Sequence, residues 1–312
     1  MNTLLLITGL LLILVGANYL TDGSSALAKR FNISEFVIGL TIVAIGTSAP
    51  ELIVSVLSAL DGSGAKAIGN VVGSNLFNTF VILGICAVCV PVTLTRRNMK
   101  IDIPFGILVS LILLLVTLGG TIQRIFGVVM LLIYAAIVLF SIKSSQRDAA
   151  LAEETEQAQQ IKTMPLWLAI IMVAGGLVGL IFGGNLFLDG AERIAVKFGI
   201  PDNIIAITLL AGGTSFPELA ASVVSIVKGK SDIALGNVIG SNIANILLVL
   251  GMSATITPLS MGSITLYDIL MVLLGSGFIY LTGFVIKKQT IARSEGAMML
   301  LLYAGYMYWL LS

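Results

Sequence analysis

The chain has 312 residues, of which 57% are hydrophobic and 11% are charged, and its mean hydropathy is +1.07. Soluble domains carry about 25% charged residues, so this composition excludes an ordinary soluble protein and indicates a polytopic, all-α membrane protein. The formal net charge of +1 gives no reason to expect a nucleic acid partner, and the absence of histidine removes the usual proton relay and the commonest soft-metal ligand.

The first apolar segment, at residues 3–20, could pass for a signal peptide, with SSALA at 24–28 as a candidate cleavage site. However, no basic residue precedes this segment, and its end recurs later in the chain. We therefore predict that it is the first membrane helix.

Nine further apolar spans follow, and we interpret the chain as ten transmembrane helices. Cys86 and Cys89 form a CxxC in the third span. We interpret them as small core residues rather than zinc ligands, because no histidine or further cysteine completes a four-ligand site. The nine spans lie at residues 35–60, 66–92, 104–120, 125–142, 165–188, 202–227, 233–256, 264–285 and 296–311.

An internal duplication relates the two halves of the chain. Residues 15–84 align without a gap to 182–251, and about 30 of the 70 paired positions are identical. Each half contains five spans, so the second half must enter the membrane from the opposite side. Inverted repeats of this kind are typical of secondary transporters, which bind substrate near the bilayer midplane. The expected organisation is a first repeat at 1–142, a linker at 143–164 and a second repeat at 165–312.

The distribution of basic residues predicts the orientation of the ten spans. Thirteen of the 17 lysines and arginines lie on one side of the predicted topology and four lie on the other. We therefore expect the chain in the cell membrane with both termini outside and the polar 143–164 linker, a simple connector, in the cytoplasm. The thirteen are Lys29, Arg30, Arg96, Arg97, Lys100, Lys143, Arg147, Lys162, Lys228, Lys230, Lys287, Lys288 and Arg293.

The second span contains the stretch AIGTSAPELIVSV at 44–56, and AGGTSFPELAASV repeats it at 211–223. Pro50 has no amide hydrogen and its ring clashes with the carbonyl four residues earlier, so we expect the helix to be disrupted there. Carbonyls freed at membrane depth survive only when they are buried in protein or line a wet cavity. At the end of a half-helix they favour a cation. Pro217 predicts the same disruption in the second repeat.

Each of these prolines is followed by a glutamate, Glu51 or Glu218, within an apolar run. A carboxylate at mid-membrane costs roughly 2.5–3.5 kcal/mol on insertion scales. No lysine or arginine lies within a span near either glutamate in the sequence. We therefore expect a metal cation or protons to compensate the two charges.

The next span of each repeat adds polar side chains, in the stretches GNVVGSNLFN and GNVIGSNIAN. Ser74 and Asn78 are four residues apart and share one helical face, as do Ser241 and Asn245. The other asparagines of both stretches are expected to be structural, and the glycines are expected to serve helix packing.

Together these residues form a set of hard oxygen donors. Ca²⁺ takes about six to eight oxygens in flexible geometry, whereas Mg²⁺ prefers an octahedron and keeps its waters. Two fixed negative charges balance one Ca²⁺. Na⁺ accepts similar oxygens with half the charge, so competition between Na⁺ and Ca²⁺ for one set of oxygens is a natural exchange mechanism.

The stretches GTSAPE at 46–51 and GTSFPE at 213–218, with the two GNxxGSN stretches, resemble the α-repeats of the calcium/cation antiporter superfamily, in particular prokaryotic sodium/calcium exchangers. The resemblance implies an inverted-repeat fold in which eight core helices hold the ions while the first and sixth helices slide across them. It implies Ca²⁺ and Na⁺ as transported substrates, with no cofactor and no enzymatic activity. We expect membrane lipid as the surroundings and a functional monomer.

By the same resemblance, Glu51 and Glu218 bind Ca²⁺ and share in Na⁺ binding, and the carbonyls of Thr47 and Thr214 complete the Ca²⁺ site. Some relatives, including potassium-dependent members, carry an aspartate where this chain has Asn245, which argues against potassium dependence here. Further oxygens are implied for the Na⁺ or water sites. They belong to the side chains of Ser48, Ser74, Asn78, Ser215, Ser241 and Asn245 and to the carbonyls of Ala44 and Ala211.

Three alternatives to Na⁺/Ca²⁺ antiport remain open at this point. In an H⁺/Ca²⁺ antiporter the two glutamates titrate, although a proton carrier has no need of so many neutral oxygens. A passive cation channel conducts Ca²⁺ without a counter-ion. An intramembrane hydrolase with Ser48 or Ser215 as nucleophile is disfavoured, because histidine is absent and the basic residues lie at membrane edges.

Overall fold

The computed structural model describes residues 2–153, 164–198, 213–285 and 289–311. These ranges are mostly helical, which confirms the predicted all-α membrane fold. Seven of the described helices are long and apolar enough to cross a membrane, or eight if one bent pair is taken as a single span. The count of ten spans stays a prediction. Four residues named above lie outside the described ranges: Lys162, Ala211, Lys287 and Lys288.

The described helices are numbered here in chain order. The first half contains α1 (Asn2–Arg30), α2 (Glu35–Thr47), α3 (Ala49–Leu60), α4 (Gly64–Cys89), α5 (Asn98–Thr117) and α6 (Arg124–Glu153). The second half contains α7 (Leu166–Lys197), α8 (Phe216–Val227), α9 (Ser231–Ile256), α10 (Leu266–Val285) and α11 (Arg293–Leu311). Short π-helical stretches, which often mark functional sites, occur at Gly39–Val43, Phe77–Ile82, Asn98–Asp102 and Asn245–Leu250.

Burial divides these spans into two classes. Within their most apolar windows, α4 is 72% buried and α9 is 89% buried, whereas α1 and α7 are each 28% buried. The two helices that carry the GNxxGSN stretches are therefore largely buried in the protein, whereas most residues in the apolar windows of α1 and α7 are partly or fully exposed in the described structure.

Four two-residue strands, which the sequence did not predict, connect loops of the described chain. Strand β1 (Val92–Thr93) pairs antiparallel with β4 (Thr290–Ile291), and β2 (Thr121–Ile122) pairs antiparallel with β3 (Leu259–Ser260). The predicted topology places β1 and β4 in cytoplasmic loops and β2 and β3 in outer loops. Each pair thus joins two loops assigned to the same side, which supports the relative sidedness of these four loops.

The chain forms two compact units. Unit 1 comprises Met1–Thr47 and Ile137–Asn237, and unit 2 comprises Ser48–Ala136 and Val238–Ser312. Each unit draws segments from both predicted repeats, so the repeat boundaries are not the boundaries of the compact units. The division into two five-helix repeats stays a prediction.

In unit 1, α1 and α7 pack closely through glycines. A Cβ atom at Gly176 would lie 2.6 Å from the amide nitrogen of Leu20 and 2.7 Å from the carbonyl oxygen of Gly16. A Cβ atom at Gly183 would lie 2.8 Å from the amide nitrogen of Ile13. Small residues allow such close approach between membrane helices, whose association depends on van der Waals packing.

We expect Gly176→Ala to lower the thermal unfolding temperature of the purified protein in detergent, because the added methyl group meets the backbone of α1. Overpacking of this kind typically costs about 1–3 kcal/mol. Gly175→Ala is the matched control on the same helix, since Gly175 is exposed and no described atom outside the helix backbone lies within 4 Å of its Cβ position. Equal unfolding temperatures for the two variants would contradict this account of the interface.

In unit 2, α4 packs against α3 and α11, and α5 packs against α10. Gly84 and Gly296 allow α4 and α11 to approach, since a Cβ atom at Gly296 would lie 2.7 Å from the carbonyl oxygen of Gly84. Helix α3 also packs against the segment of α9 from Asn245 to Ile256. The first glutamate-bearing helix is thereby held against both GNxxGSN-bearing helices.

Candidate cation-binding site

The predicted disruption in the first repeat falls at Ser48, between α2 and α3, with a bend of 49°. Pro50 lies in the first turn of α3, where its missing amide hydrogen removes no intrahelical bond. Glu51 follows it in the same turn, where the amide groups of a helix N-terminus favour a negative charge. The proline therefore sets the position at which the carboxylate begins a new half-helix.

The second repeat shows the same arrangement at the start of α8. Ser215 precedes this helix, Pro217 lies in its first turn and Glu218 follows. Residues 199–212 lie outside the described ranges, so the half-helix expected before α8 and the predicted carbonyl ligand of Ala211 stay predictions.

Unit 2 contains Glu51 and five of the other predicted site side chains. The Glu51 carboxylate is completely buried, and Oγ of Ser74 donates a hydrogen bond of 3.4 Å to its Oε1 atom. The structure therefore brings Ser74, one of the predicted site residues, to the carboxylate. The remaining predicted side chains of this unit are buried as well: Ser48, Asn78, Ser241 and Asn245.

Unit 1 contains Glu218 together with residues from the first repeat. Ala44, Thr47, Ser215 and Glu218 are all completely buried, and α8 packs against the last turn of α2. Oγ1 of Thr47 donates to Oδ1 of Asn237 at 3.2 Å, and Nδ2 of Asn237 donates to the Glu218 carbonyl at 3.3 Å. A threonine of the first repeat and a glutamate of the second are thus linked within one unit.

Two of the predicted amides lack hydrogen bonds within the described part of the chain. Both the nitrogen and the oxygen of the Asn78 side chain are buried without a partner there, and the same holds for Asn245. The hydroxyls of Ser241 and Thr214 are likewise buried without a hydrogen-bond partner among the described residues. A buried polar group left unsatisfied costs about 1–3 kcal/mol, so a bound ion or water would stabilise these side chains.

The donor set is rich in neutral oxygens. Among the described residues, no group of three or more His, Cys, Asp or Glu side chains is placed to hold a metal ion. Carboxylate, amide, hydroxyl and carbonyl oxygens suit hard cations such as Ca²⁺ and Na⁺, whereas transition metals prefer nitrogen and sulfur ligands.

The structure bears on the packing role predicted for two glycines of the motif. Packing explains Gly236, whose Cβ position falls against the carbonyl oxygen of Phe36. For Gly73, no atom of the described residues outside its own helix backbone lies within 4 Å of its Cβ position, so its packing role stays a prediction. Sequence reasoning missed Ser55 and Ser222, which accept hydrogen bonds from motif asparagines. Their occurrence at the same 167-residue offset was the available signal.

Comparison with known proteins gives matches along nearly the whole chain. A family model described as sodium/calcium exchanger protein matches residues 1–143 and 168–312. The putative antiporter CaxA of Alkalimonas amylolytica is 36% identical over 315 residues, which cover 99% of this chain and 98% of CaxA. The sodium/calcium exchanger MaX1 of Methanosarcina acetivorans is 30% identical over 351 residues, covering 98% and 97% of the two chains.

A solved structure of the sodium-calcium exchanger NCX_Mj, soaked with Na⁺ and Sr²⁺, has a TM-score of 0.85 to this chain at 30% identity. The match covers 98% of this chain and 97% of NCX_Mj. The similarity therefore extends to both glutamate-bearing helices and both GNxxGSN-bearing helices.

Proposed function

Because this chain belongs to the sodium/calcium exchanger protein family, we propose that it is a secondary active antiporter that exchanges Na⁺ for Ca²⁺ across the membrane by alternating access. The observation that carries the proposal is the complete burial of Glu51 and Glu218 at the starts of two proline-containing half-helices. Carboxylates within an apolar membrane protein are expensive and mark ion pathways.

In this proposal the two glutamates bind the same Ca²⁺, whose two charges they balance, and they share in binding Na⁺. The carbonyls of Thr47 and Thr214 complete the Ca²⁺ site. An empty site with two negative charges is costly to carry through lipid. After one kind of ion has left, the site must therefore bind the other kind before it can change sides. This obligatory reloading makes the protein an exchanger rather than a channel.

The neutral oxygens favour Na⁺ over H⁺ as the coupling ion. A proton would bind to a glutamate directly and would leave the buried amides of Asn78 and Asn245 unsatisfied. Na⁺ is coordinated by such oxygens, and the hydroxyls of Ser48, Ser74, Ser215 and Ser241 and the carbonyls of Ala44 and Ala211 supply more of them. An exchange of H⁺ for Ca²⁺ is the alternative that remains to be separated by experiment.

We further propose that the protein functions as a monomer in the cell membrane, with both termini outside and the 143–164 linker in the cytoplasm. The excess of basic residues on the side of the linker supports this orientation. The strand pairs β1–β4 and β2–β3 support only the relative sidedness of their four loops, since each pair joins loops assigned to one side; the distribution of basic residues alone assigns which side is cytoplasmic.

Uptake of radioactive Ca²⁺ into proteoliposomes loaded with Na⁺, K⁺ or choline at matched pH tests this function. We expect uptake with Na⁺ inside and none with K⁺ or choline, because only an outward Na⁺ gradient drives the exchange. Uptake driven by a pH gradient without Na⁺ would instead indicate H⁺/Ca²⁺ antiport. Equal uptake into all three kinds of vesicle would indicate a channel.

A further inference from the structure

A second hydrogen-bonding network holds each glutamate by its main chain rather than by its carboxylate. In unit 2, Nδ2 of Asn70 donates to the carbonyl of Glu51 at 3.3 Å and to Oγ of Ser55 at 2.9 Å. In unit 1, Nδ2 of Asn237 donates to the carbonyl of Glu218 at 3.3 Å and to Oγ of Ser222 at 2.9 Å. The first asparagine of each GNxxGSN stretch thus joins the first two turns of a glutamate-bearing helix to its neighbour.

The network around Asn237 reaches one step further. Its Oδ1 atom accepts the hydrogen bond from the hydroxyl of Thr47, which itself lies 3.4 Å from the carbonyl oxygen of Ala44. An amide has two donor hydrogens and one acceptor oxygen, so Asn237 uses both hydrogens and its oxygen in contacts with the protein. The side-chain amides of Asn78 and Asn245, in contrast, make no hydrogen bond to any described residue.

The helix carrying Asn237 is also held tightly against α2. A Cβ atom at Gly39 would lie 2.6 Å from the carbonyl oxygen of Ile233 and 3.0 Å from the amide nitrogen of Asn237. The backbones of α2 and α9 are therefore in direct contact within unit 1. Asn237 is completely buried, whereas Asn70 is partly exposed.

We propose that Asn237 is a positioning residue of the ion site, which fixes the end of α2 at Thr47 against the start of α8 at Glu218. Asn70 holds Glu51, and it is bonded to no second ion-binding segment among the described residues. The inference rests on the proposed function, because it assigns to Asn237 the relative placement of two groups that bind Ca²⁺. Asn237 itself touches no ion.

Asn237→Leu should therefore weaken Ca²⁺ binding while leaving every proposed ligand in the sequence. We expect the KM for external Ca²⁺ to rise about tenfold, which corresponds to about 1.4 kcal/mol. Asn70→Leu is the matched variant, and its KM should rise only about two- to threefold, because among the described residues Asn70 bonds one ion-binding segment rather than two. Loss of folded protein alone lowers the maximal rate and leaves KM unchanged.

The test is uptake of radioactive Ca²⁺ into Na⁺-loaded proteoliposomes as a function of external Ca²⁺, for the wild type, Asn237→Leu, Asn70→Leu, Thr47→Val and the Thr47→Val/Asn237→Leu double variant. If Asn237 acts through Thr47, the increase in KM of the double variant should be smaller than the product of the fold-increases of the two single variants. A KM for Asn237→Leu within about twofold of the wild type, or strictly additive effects, would overturn the proposal.

Two further measurements distinguish a failure of the positioning role from a folding defect and from a failure of the proposed function. Should Asn237→Leu fail to fold, Ser222→Ala removes one acceptor of the same network; it should raise KM about threefold, and an unchanged KM would overturn the proposal. Wild-type protein that takes up no Ca²⁺ under a Na⁺ gradient would contradict the proposed function. Normal wild-type uptake with unaltered variants would contradict the positioning role alone.

Discussion

Glu51→Gln and Glu218→Gln should each abolish Na⁺-driven Ca²⁺ uptake while the protein remains folded in the membrane. Each substitution keeps the shape of the side chain and removes one of the two charges that we propose balance Ca²⁺. Removing one partner of a buried charge pair costs about 2–5 kcal/mol, so we expect a loss on the order of a hundredfold or more in rate at fixed Ca²⁺. The unfolding temperature should be unchanged or higher, because a buried carboxylate is costlier than an amide.

The measurement is the initial rate of radioactive Ca²⁺ uptake into Na⁺-loaded proteoliposomes that contain equal amounts of each variant. Asp61→Asn is the matched control, since it neutralises an exposed carboxylate at the end of the same helix as Glu51. Its rate should stay within about twofold of the wild type, as for most surface substitutions. Wild-type uptake in either glutamine variant would remove that glutamate from the site.

Asn245→Leu and Asn78→Leu should slow Na⁺-driven transport at least tenfold and yet leave the protein as stable as the wild type or more stable. Leucine has a similar size and removes an amide that is buried without hydrogen bonds to the described chain. Replacing an unsatisfied buried polar group by an apolar one is neutral or stabilising. Transport should suffer because the amide oxygen is lost as a neutral donor for Na⁺, a loss of about 1.4 kcal/mol or more.

The stability readout is thermal unfolding in detergent, and Asn237→Leu is the contrasting variant. Its amide makes three hydrogen bonds, so its removal leaves buried partners unsatisfied and should lower the unfolding temperature. If Asn245→Leu destabilised the protein as much as Asn237→Leu does, the Asn245 amide would be a structural group and its assignment as an ion ligand would be wrong.

Much of the architecture could be predicted because it depends on local features of the sequence. Hydropathy and length predicted the helices, and Pro50 predicted the disruption observed at Ser48, because a proline ring acts on its own turn of helix. The four-residue spacing placed Ser74 and Asn78 on one helical face, but the contact between Ser74 and Glu51 was not predicted, because it depends on how two helices pack. The four short strands were not predicted, since pairing between loops as distant as β1 and β4 leaves little signal in two residues.

The site was predicted less completely because its contacts depend on tertiary packing. Both glutamates and their neutral neighbours could be proposed as ligands from two copies of one motif at a constant offset, and this assignment stays a prediction. The link from Thr47 to Asn237 spans 190 residues, and a single sequence contains no signal for which amides are satisfied. For the same reason the sequence assigned one packing role to Gly73 and Gly236, although only Gly236 lies against another backbone among the described residues.

Equilibrium binding of radioactive Ca²⁺ to the purified protein most directly tests the claim that Glu51 and Glu218 together hold the transported ion. We predict saturable binding to the wild type that rising Na⁺ displaces and that choline at equal ionic strength does not. The Glu51→Gln/Glu218→Gln double variant, at equal concentration of folded protein, should bind no Ca²⁺ in this range. Binding of Ca²⁺ to the double variant with wild-type affinity would contradict the account.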